Sequence, residues 1–203
     1  DVCSSDLDRF KELAGGNMSL SFGVSISYYK FPMNESLLSA KSALEKSKDY
    51  QYTFKGGNAK KNAVSINIQK HSGSVVGGTW SLKGSAFSRL INILDRNSGL
   101  LGNNDMELLK GITYTLNKHE ALLTRIASDR EKVNNFFFFI FNESIHLTND
   151  HQQQTGIKKL KPYLQHLANL IPDLFEENQD DFSKNLFGIL RTASFIKGET
   201  DDR

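Results

Sequence analysis

Met18-Ser19-Leu20-Ser21-Phe22-Gly23-Val24-Ser25-Ile26-Ser27-Tyr28-Tyr29-Lys30-Phe31 alternates apolar and small residues along its whole length. Successive side chains of a strand point to opposite faces. Met18, Leu20, Phe22, Val24 and Ile26 are therefore expected on one face, and Ser19, Ser21, Ser25 and Ser27 on the other. Pro32, with its fixed φ and no N–H, ends the strand. Asn34 is a fair N-cap for a helix through Lys48, on which Leu37, Leu38, Ala40, Ala43, Leu44 and Ser47 form a narrow buried stripe. Before the strand, Phe10, Leu13 and Ala14 read as the apolar side of a helix that Gly15-Gly16-Asn17 stops.

After the helix, Asp49–Phe54 is a polar-aromatic insertion and Lys55–Lys61 a Gly/Lys-rich loop. Strand alternation resumes through Val64, Ile66 and Ile68, between Asn62 and Gln69. Ser72-Gly73 turns the chain, and Thr79–Leu82 reads as a short final strand or edge. A β…α…β order with a long connection implies helices layered on one sheet face.

From about Gly84 the pattern becomes helical only. Phe87, Leu90, Ile91 and Leu94 mark one helix; Met106, Leu108, Leu109, Ile112 and Leu116 mark another, capped by Asn104 or Asp105. Leu122, Leu123 and Ile126 follow a break near Asn117, and Val133–Ile145 is an unusually aromatic segment. Lys158–Ile171 and Asp180–Ile196 complete the set, with Pro172 separating them. Amphipathic segments joined by short polar loops indicate a helical bundle. The expected division is therefore a leader at 1–7, an α+β part at 8–83 and a helical domain at 84–203.

The composition excludes several classes. The longest apolar run, Phe136–Phe141, is far shorter than the ~20 residues a membrane helix needs. No apolar core follows a charged start, so neither a membrane anchor nor a signal peptide is expected, and a cytoplasmic location is the default. The single cysteine, Cys3, excludes an internal disulfide framework and multi-cysteine zinc sites. Asp1–Leu7 resembles translated adapter sequence, so Cys3 and Asp6 are discounted and an upstream segment is expected. Residues 1–83 carry 11 Lys+Arg against 7 Asp+Glu, a net of +4, whereas 84–203 carry 14 against 16, a net of −2. The front of the chain thus suits phosphates slightly better than the back.

Catalytic constellations are sparse. His119-Glu120 lacks the second histidine that a zincin helix places four residues on. His146 and His151 are five apart and would fall on different faces, while His166 is expected on a solvated face. Asp180-Asp181 and Glu176-Glu177 read as a solvated helix start favoured by the helix dipole. Phe136–Phe139 covers every face of a helix and implies burial nearly all round or contact with a partner subunit. Gly56-Gly57-Asn58-Ala59-Lys60-Lys61 offers amides and ammonium groups suited to phosphate, but without the Walker spacing it reads first as a surface linker.

Ser21-Phe22-Gly23-Val24 followed by Tyr29-Lys30-Phe31-Pro32-Met33 resembles the "S-a-G-i … h-y-K-y-P-l" pattern of one family. This is the second palm domain of the large polymerase/cyclase subunit of type III CRISPR effector complexes, Cmr type. Leu37, Ala40, Leu44 and Ser47-Lys48 keep the same frame, as do Asn62-Ala63-Val64, His71-Ser72-Gly73 and Trp80. GGDEF cyclases share that frame more distantly. Ser47 in place of alanine and the insertion before Asn62 are departures. Ala127-Ser128-Asp129-Arg130, Asn134–Phe137 and Leu190–Ile196 look like that subunit's C-terminal helices.

The resemblance implies an α+β fold: a ferredoxin-like, GGDEF-like palm remnant followed by an all-α helical bundle. It implies an intact parent that binds ATP with a divalent metal, Mg or Mn, and makes cyclic oligoadenylates in antiviral defence. The metal carboxylates of that family lie in a G-G-D-D hairpin upstream of the Leu7–Ala14 helix. Gly15-Gly16-Asn17 is not that hairpin, so this chain is expected to be inactive alone and to hold no catalytic or metal-binding residue. Ser21, Gly23 and Lys48 are the residues expected at the nucleotide. Expected partners are other subunits of the effector complex, especially the small helical ones, and guide and target RNA through the complex, with no membrane. A remnant lacking its first strands is expected to expose sheet edge and be poorly soluble. The alternative is a stand-alone, non-catalytic α/β plus helical scaffold mediating protein assembly.

Overall fold

A computed structural model describes residues 9, 12, 19–95, 106–146 and 151–198. The Phe10–Asn17 helix and its stop, and the Asn104/Asp105 cap, lie outside the described residues. The chain is α+β and divides into two compact units, Asp1–Lys83 and Gly84–Arg203.

The first unit contains β1 (Phe22–Ser27), much shorter than the alternation of 18–31 suggests. The strand stops because Tyr28–Phe31 closes a turn, Phe31 N donating to Tyr28 O at 2.9 Å, ahead of Pro32. Helix α1 (Met33–Asp49) follows. Its N-cap is Pro32 rather than Asn34, and Ser36 N donates to the Pro32 carbonyl. β2 (Gln51–Phe54) and β3 (Gly57–Lys60) form a separate hairpin. β4 (Ala63–Gln69) and β5 (Val75–Ser81) complete a three-stranded sheet of order β1-β4-β5. β1 runs parallel to β4, in register Phe22↔Val64, Val24↔Ile66 and Ile26↔Ile68; β5 is antiparallel to β4, with Val64↔Trp80 and Ile68↔Val76. Parallel neighbours need a crossover, which α1 provides.

Which face α1 covers is the reverse of the simplest expectation. Gly23, Ser25 and Ser27 lie under the helix, with Ser65 and Asn67 of β4 in register beside Gly23 and Ser25. An added Cβ on Gly23 would sit 2.3 Å from Leu44 N and 2.4 Å from Ala40 O. Ser27 Oγ shares a 2.5 Å hydrogen bond with Ser36 Oγ, and Asn67 Nδ2 donates to Ser39 O at 3.3 Å. On the helix Ala43 and Ser47 are both fully buried. The helix backbone can approach this closely only over such a face.

The apolar alternation lies on the opposite side. There Ile68 and Trp80 are fully buried and Val64, Ile66 and Val76 nearly so, whereas Phe22 and Val24 remain 38% and 36% exposed. Each fully buried Val or Ile contributes about 1.5–3 kcal/mol, so β4 and β5 carry the stability of this sheet and β1 little of it. Leu37 and Leu38 are also exposed, at 63% and 60%, because only the Ala40–Ser47 part of the expected helix stripe faces the strand.

The second unit is helical: α2 (Ser85–Leu94), α3 (Met106–Lys118), α4 (Glu120–Ile126), α5 (Arg130–His146), α6 (His151–Glu177) and α7 (Phe182–Gly198). The break near Asn117 falls at His119, whose N donates to Leu116 O. α7 is the central helix, packed by α2, α3, α4 and α6, with the run Leu186–Leu190 buried on all sides. Pro172 does not separate two helices; α6 continues through it, and through Pro162, to Glu177. An interior proline costs about 3 kcal/mol. Burial of Leu170, Ile171 and Leu174 around it, and the ties of Asp173 described below, offset that. Phe136 and Phe137 are buried and Phe138 and Phe139 exposed, so α5 is covered on one side only. Glu177, expected to be solvated, is buried in the last turn of α6. Among the described residues no helix is long and apolar enough to cross a membrane.

Candidate functional site

The β2–β3 hairpin stands where a linker loop was expected. Lys55 and Gly56, at φ 51° and 75°, are both left-handed, which is the two-residue type I′ turn that matches strand twist. Tyr50, Tyr52 and Phe54 alternate onto one face and pack with Ala59 and Ala63; the Tyr50 and Tyr52 rings stack at 5.8 Å. The other face carries Gln51 and Thr53, in register with Lys60 and Asn58. Those four side chains are exposed.

The hairpin leaves α1 and enters β4 at one end of the unit. Ser81, the last residue of β5, pairs with Ala63, the first of β4, so Lys83 belongs to that same end. Gly23 fixes where the expected site residues fall. It touches Ala40 and Leu44; Lys48 lies ~6 Å further along α1 at 1.5 Å per residue. Ser21 lies ~7 Å earlier along the strand. Ser21, half-buried, and Lys48, exposed, therefore come to the same end as the hairpin. Gly23 itself is covered: the space its missing Cβ leaves is filled by α1 backbone.

Residues 19–83 contain nine lysines, no arginine and three carboxylates, a net of +6. Six of those lysines gather here: Lys46 and Lys48 in the last turn of α1, Lys55, Lys60 and Lys61 on the hairpin, and Lys83. Phe54 is flanked by two of them, with Lys55 Nζ 5.5 Å and Lys83 Nζ 5.7 Å from its ring centroid. Lys60 Nζ meets Asp49 Oδ1 at 3.2 Å on the surface, a pair worth little. Lys61 and Asn62 are consecutive left-handed residues, at φ 67° and 52°. That conformation costs about 1–2 kcal/mol per ordinary residue. It is held by Lys61 N donating to Tyr50 O and Leu82 N donating to Asn62 O, and it leaves Lys61 exposed.

A second aromatic-basic cluster marks the opposite end. Tyr28 and His71 rings lie 4.9 Å apart, and Lys30 Nζ lies 5.3 Å from the ring of Tyr29, which is almost fully exposed. Both ends can hold anions as point charges. Among the described residues no group of three or more His, Cys, Asp or Glu could hold a metal ion.

Four titratable groups of the helical unit have shifted pKa values. Asp173 Oδ2 accepts from Ser85 Oγ at 2.6 Å and Arg89 Nε at 2.7 Å, and Oδ1 accepts from Arg130 at 2.7 Å. Burial alone would raise its pKa. The hydrogen bonds from Ser85, Arg130 and Arg89 outweigh that and hold it below the ordinary carboxylate value. His166 is not solvated as expected: it is half-buried, with Nε2 3.0 Å from the Arg89 carbonyl, and burial pushes its pKa down. Tyr163 is fully buried, which pushes its phenol pKa up. Asp129 accepts from the backbone N–H groups of Lys132 and Glu131 at the start of α5, and the Lys132 contact holds its carboxyl low. Asp173 and His166 tie α2, α5 and α6 together, while Asp129 caps the start of α5.

Phe54, Lys55 and Lys83 were not identifiable as one group while 49–61 read as insertion plus loop. The signal was present in the alternation Tyr50, Tyr52, Phe54, a strand period in front of a Lys-Gly turn. No known family, curated protein or solved structure matches the chain.

Proposed function

We propose that this chain is the C-terminal part of the large polymerase/cyclase subunit of a type III CRISPR effector complex, a palm remnant followed by a helical assembly domain. The observation that carries the reading is the β1–α1–β4 unit with Gly23 seated under α1. Among the described residues β1 is the edge of its sheet, and Phe22 and Val24 are exposed beside it. An upstream palm strand and its hairpin would pair with that edge and cover those side chains.

In this reading Ser21 and Lys48 face the nucleotide, hydroxyl and ammonium, and Gly23 serves by letting α1 seat Lys48 at the same end as Ser21. ATP and Mg or Mn belong to the intact parent. The described residues hold no set of carboxylates that fits a divalent metal, so no metal-assisted step is assigned to them. The helical unit, with Phe138 and Phe139 exposed, would meet small helical subunits in a complex that also carries guide and target RNA.

The rival reading is a stand-alone, non-catalytic scaffold, favoured by that same exposed pair, which needs no nucleotide to be useful. Sequencing the locus upstream of codon 1 tests both. An open frame encoding a G-G-D-D hairpin within a few dozen codons is expected. A stop codon, or a Met just before residue 18 with no such hairpin, refutes the cyclase-subunit reading in favour of the scaffold.

A further inference from the structure

We infer that the β2–β3 hairpin is a sequence-independent grip on the backbone of a nucleic-acid duplex. Its inner face is committed to the protein, because Tyr50, Tyr52 and Phe54 pack with Ala59 and Ala63. Its outer face, Gln51, Thr53, Asn58 and Lys60, is wholly polar, with the Asp49 carboxylate meeting Lys60 at its margin in a weak surface pair. Lys55 at the type I′ tip and Lys61 at the strained exit are exposed, as are Lys48 and Lys83, the ammonium groups of Lys55 and Lys83 lying beside the edge of the face at Phe54. Such a surface complements a row of phosphates, and lysine acts on phosphate as a point charge with no base preference.

The type of nucleic acid follows from what the face lacks. Single strands are held by stacking bases on exposed aromatic rings. Here the hairpin's rings face inward, and the outward groups are hydrogen-bonding side chains and ammonium ions. A duplex, whose bases are already stacked and whose phosphates are outermost, meets that chemistry. The inference does not depend on the cyclase-subunit reading, since it uses only the hairpin and its flanks.

The test is fluorescence anisotropy of the whole chain with labelled ~20-base-pair RNA and DNA duplexes and a matched single strand, titrated with salt. Binding to either duplex, tighter than to the single strand, is expected, with RNA against DNA identifying the source. Lys55→Gln/Lys60→Gln/Lys61→Gln should weaken duplex binding by about tenfold or more at low salt and reduce the log–log salt slope by roughly 3. Lys41→Gln/Lys110→Gln/Lys118→Gln removes the same charge from exposed sites elsewhere and should leave both unchanged. Equal losses in the two triple variants, tighter binding of the single strand, no duplex binding at low salt, or displacement by polyglutamate at equal charge concentration would each overturn the inference.

Discussion

Gly23→Ala is the sharpest probe of how the strand-bearing unit is built. The new Cβ would stand 2.3 Å from Leu44 N, whereas ordinary contact begins at 3.4 Å, so α1 must withdraw by about 1.1 Å. The obstacle is backbone, which has no rotamer to change. A withdrawal of that size stretches the 3.3 Å Asn67–Ser39 bond beyond hydrogen-bonding reach and loosens the buried Ala43 and Ser47. Overpacking of this kind costs about 1–3 kcal/mol, offset by the ~0.4–1 kcal/mol that losing glycine's unfolded-state freedom returns. The net, about 1–2 kcal/mol, corresponds to a Tm lowered by roughly 5–15 °C for a unit of this size. Trp80 is the only tryptophan and is fully buried in the same sheet, so its fluorescence follows this unit's melt. Ser25→Ala is the matched control: its hydroxyl is buried with no partner among the described residues, so removing it should hold or raise Tm. An unchanged or higher Tm for Gly23→Ala would refute the close approach of α1 to β1.

Three further outcomes are expected. Asp173→Asn should cost about 2 kcal/mol at pH 7, since one half-buried carboxylate holds Ser85, Arg89 and Arg130. Because its folded pKa lies below the unfolded value, its stabilisation is complete above about pH 4 and lost as pH falls through the folded pKa. The variant's denaturant midpoint should therefore fall less steeply in acid than the parent's. His166 also has a depressed pKa, so the unfolded chain takes up its proton first and stability declines as pH drops below about 6.5. His166→Gln should flatten that slope in urea titrations across pH 5–7. Gly56→Val, at φ 75°, should cost about 1–2 kcal/mol and speed amide exchange in β2 and β3 while leaving β4 and β5 protected.

Much of the α+β composition was legible in the order of periods: a strand, a helix, strands again, then helices. Strand periodicity found β1 and β4 because Phe22–Ile26 and Val64–Ile68 alternate cleanly. It could not tell which face the helix would take. Apolar residues usually mark the covered side, but α1 approaches so closely that only Gly23, Ser25 and Ser27 fit beneath it. Leu37 and Leu38 were misplaced for the same reason. Pro172 was read by propensity as a break, and tertiary burial around α6 overrode it. At the candidate site, lysines were visible one by one. Their gathering depends on α1, the hairpin and β5 all ending at one edge, which no local window contains.

Tyr50–Lys61, twelve residues, leaves the α1-to-β4 path and returns to it at nearly the same point, closed by the Lys61 N to Tyr50 O bond of 3.2 Å. The ribbon is thus a side branch, and its length does not enter the register of β1 against β4. A branch of this kind is an insertion port. Each doubling of the excursion adds only about 0.6 kcal/mol of closure entropy. Longer, shorter or differently charged ribbons can be exchanged there while the sheet, the crossover helix and the Gly23 contact keep their places.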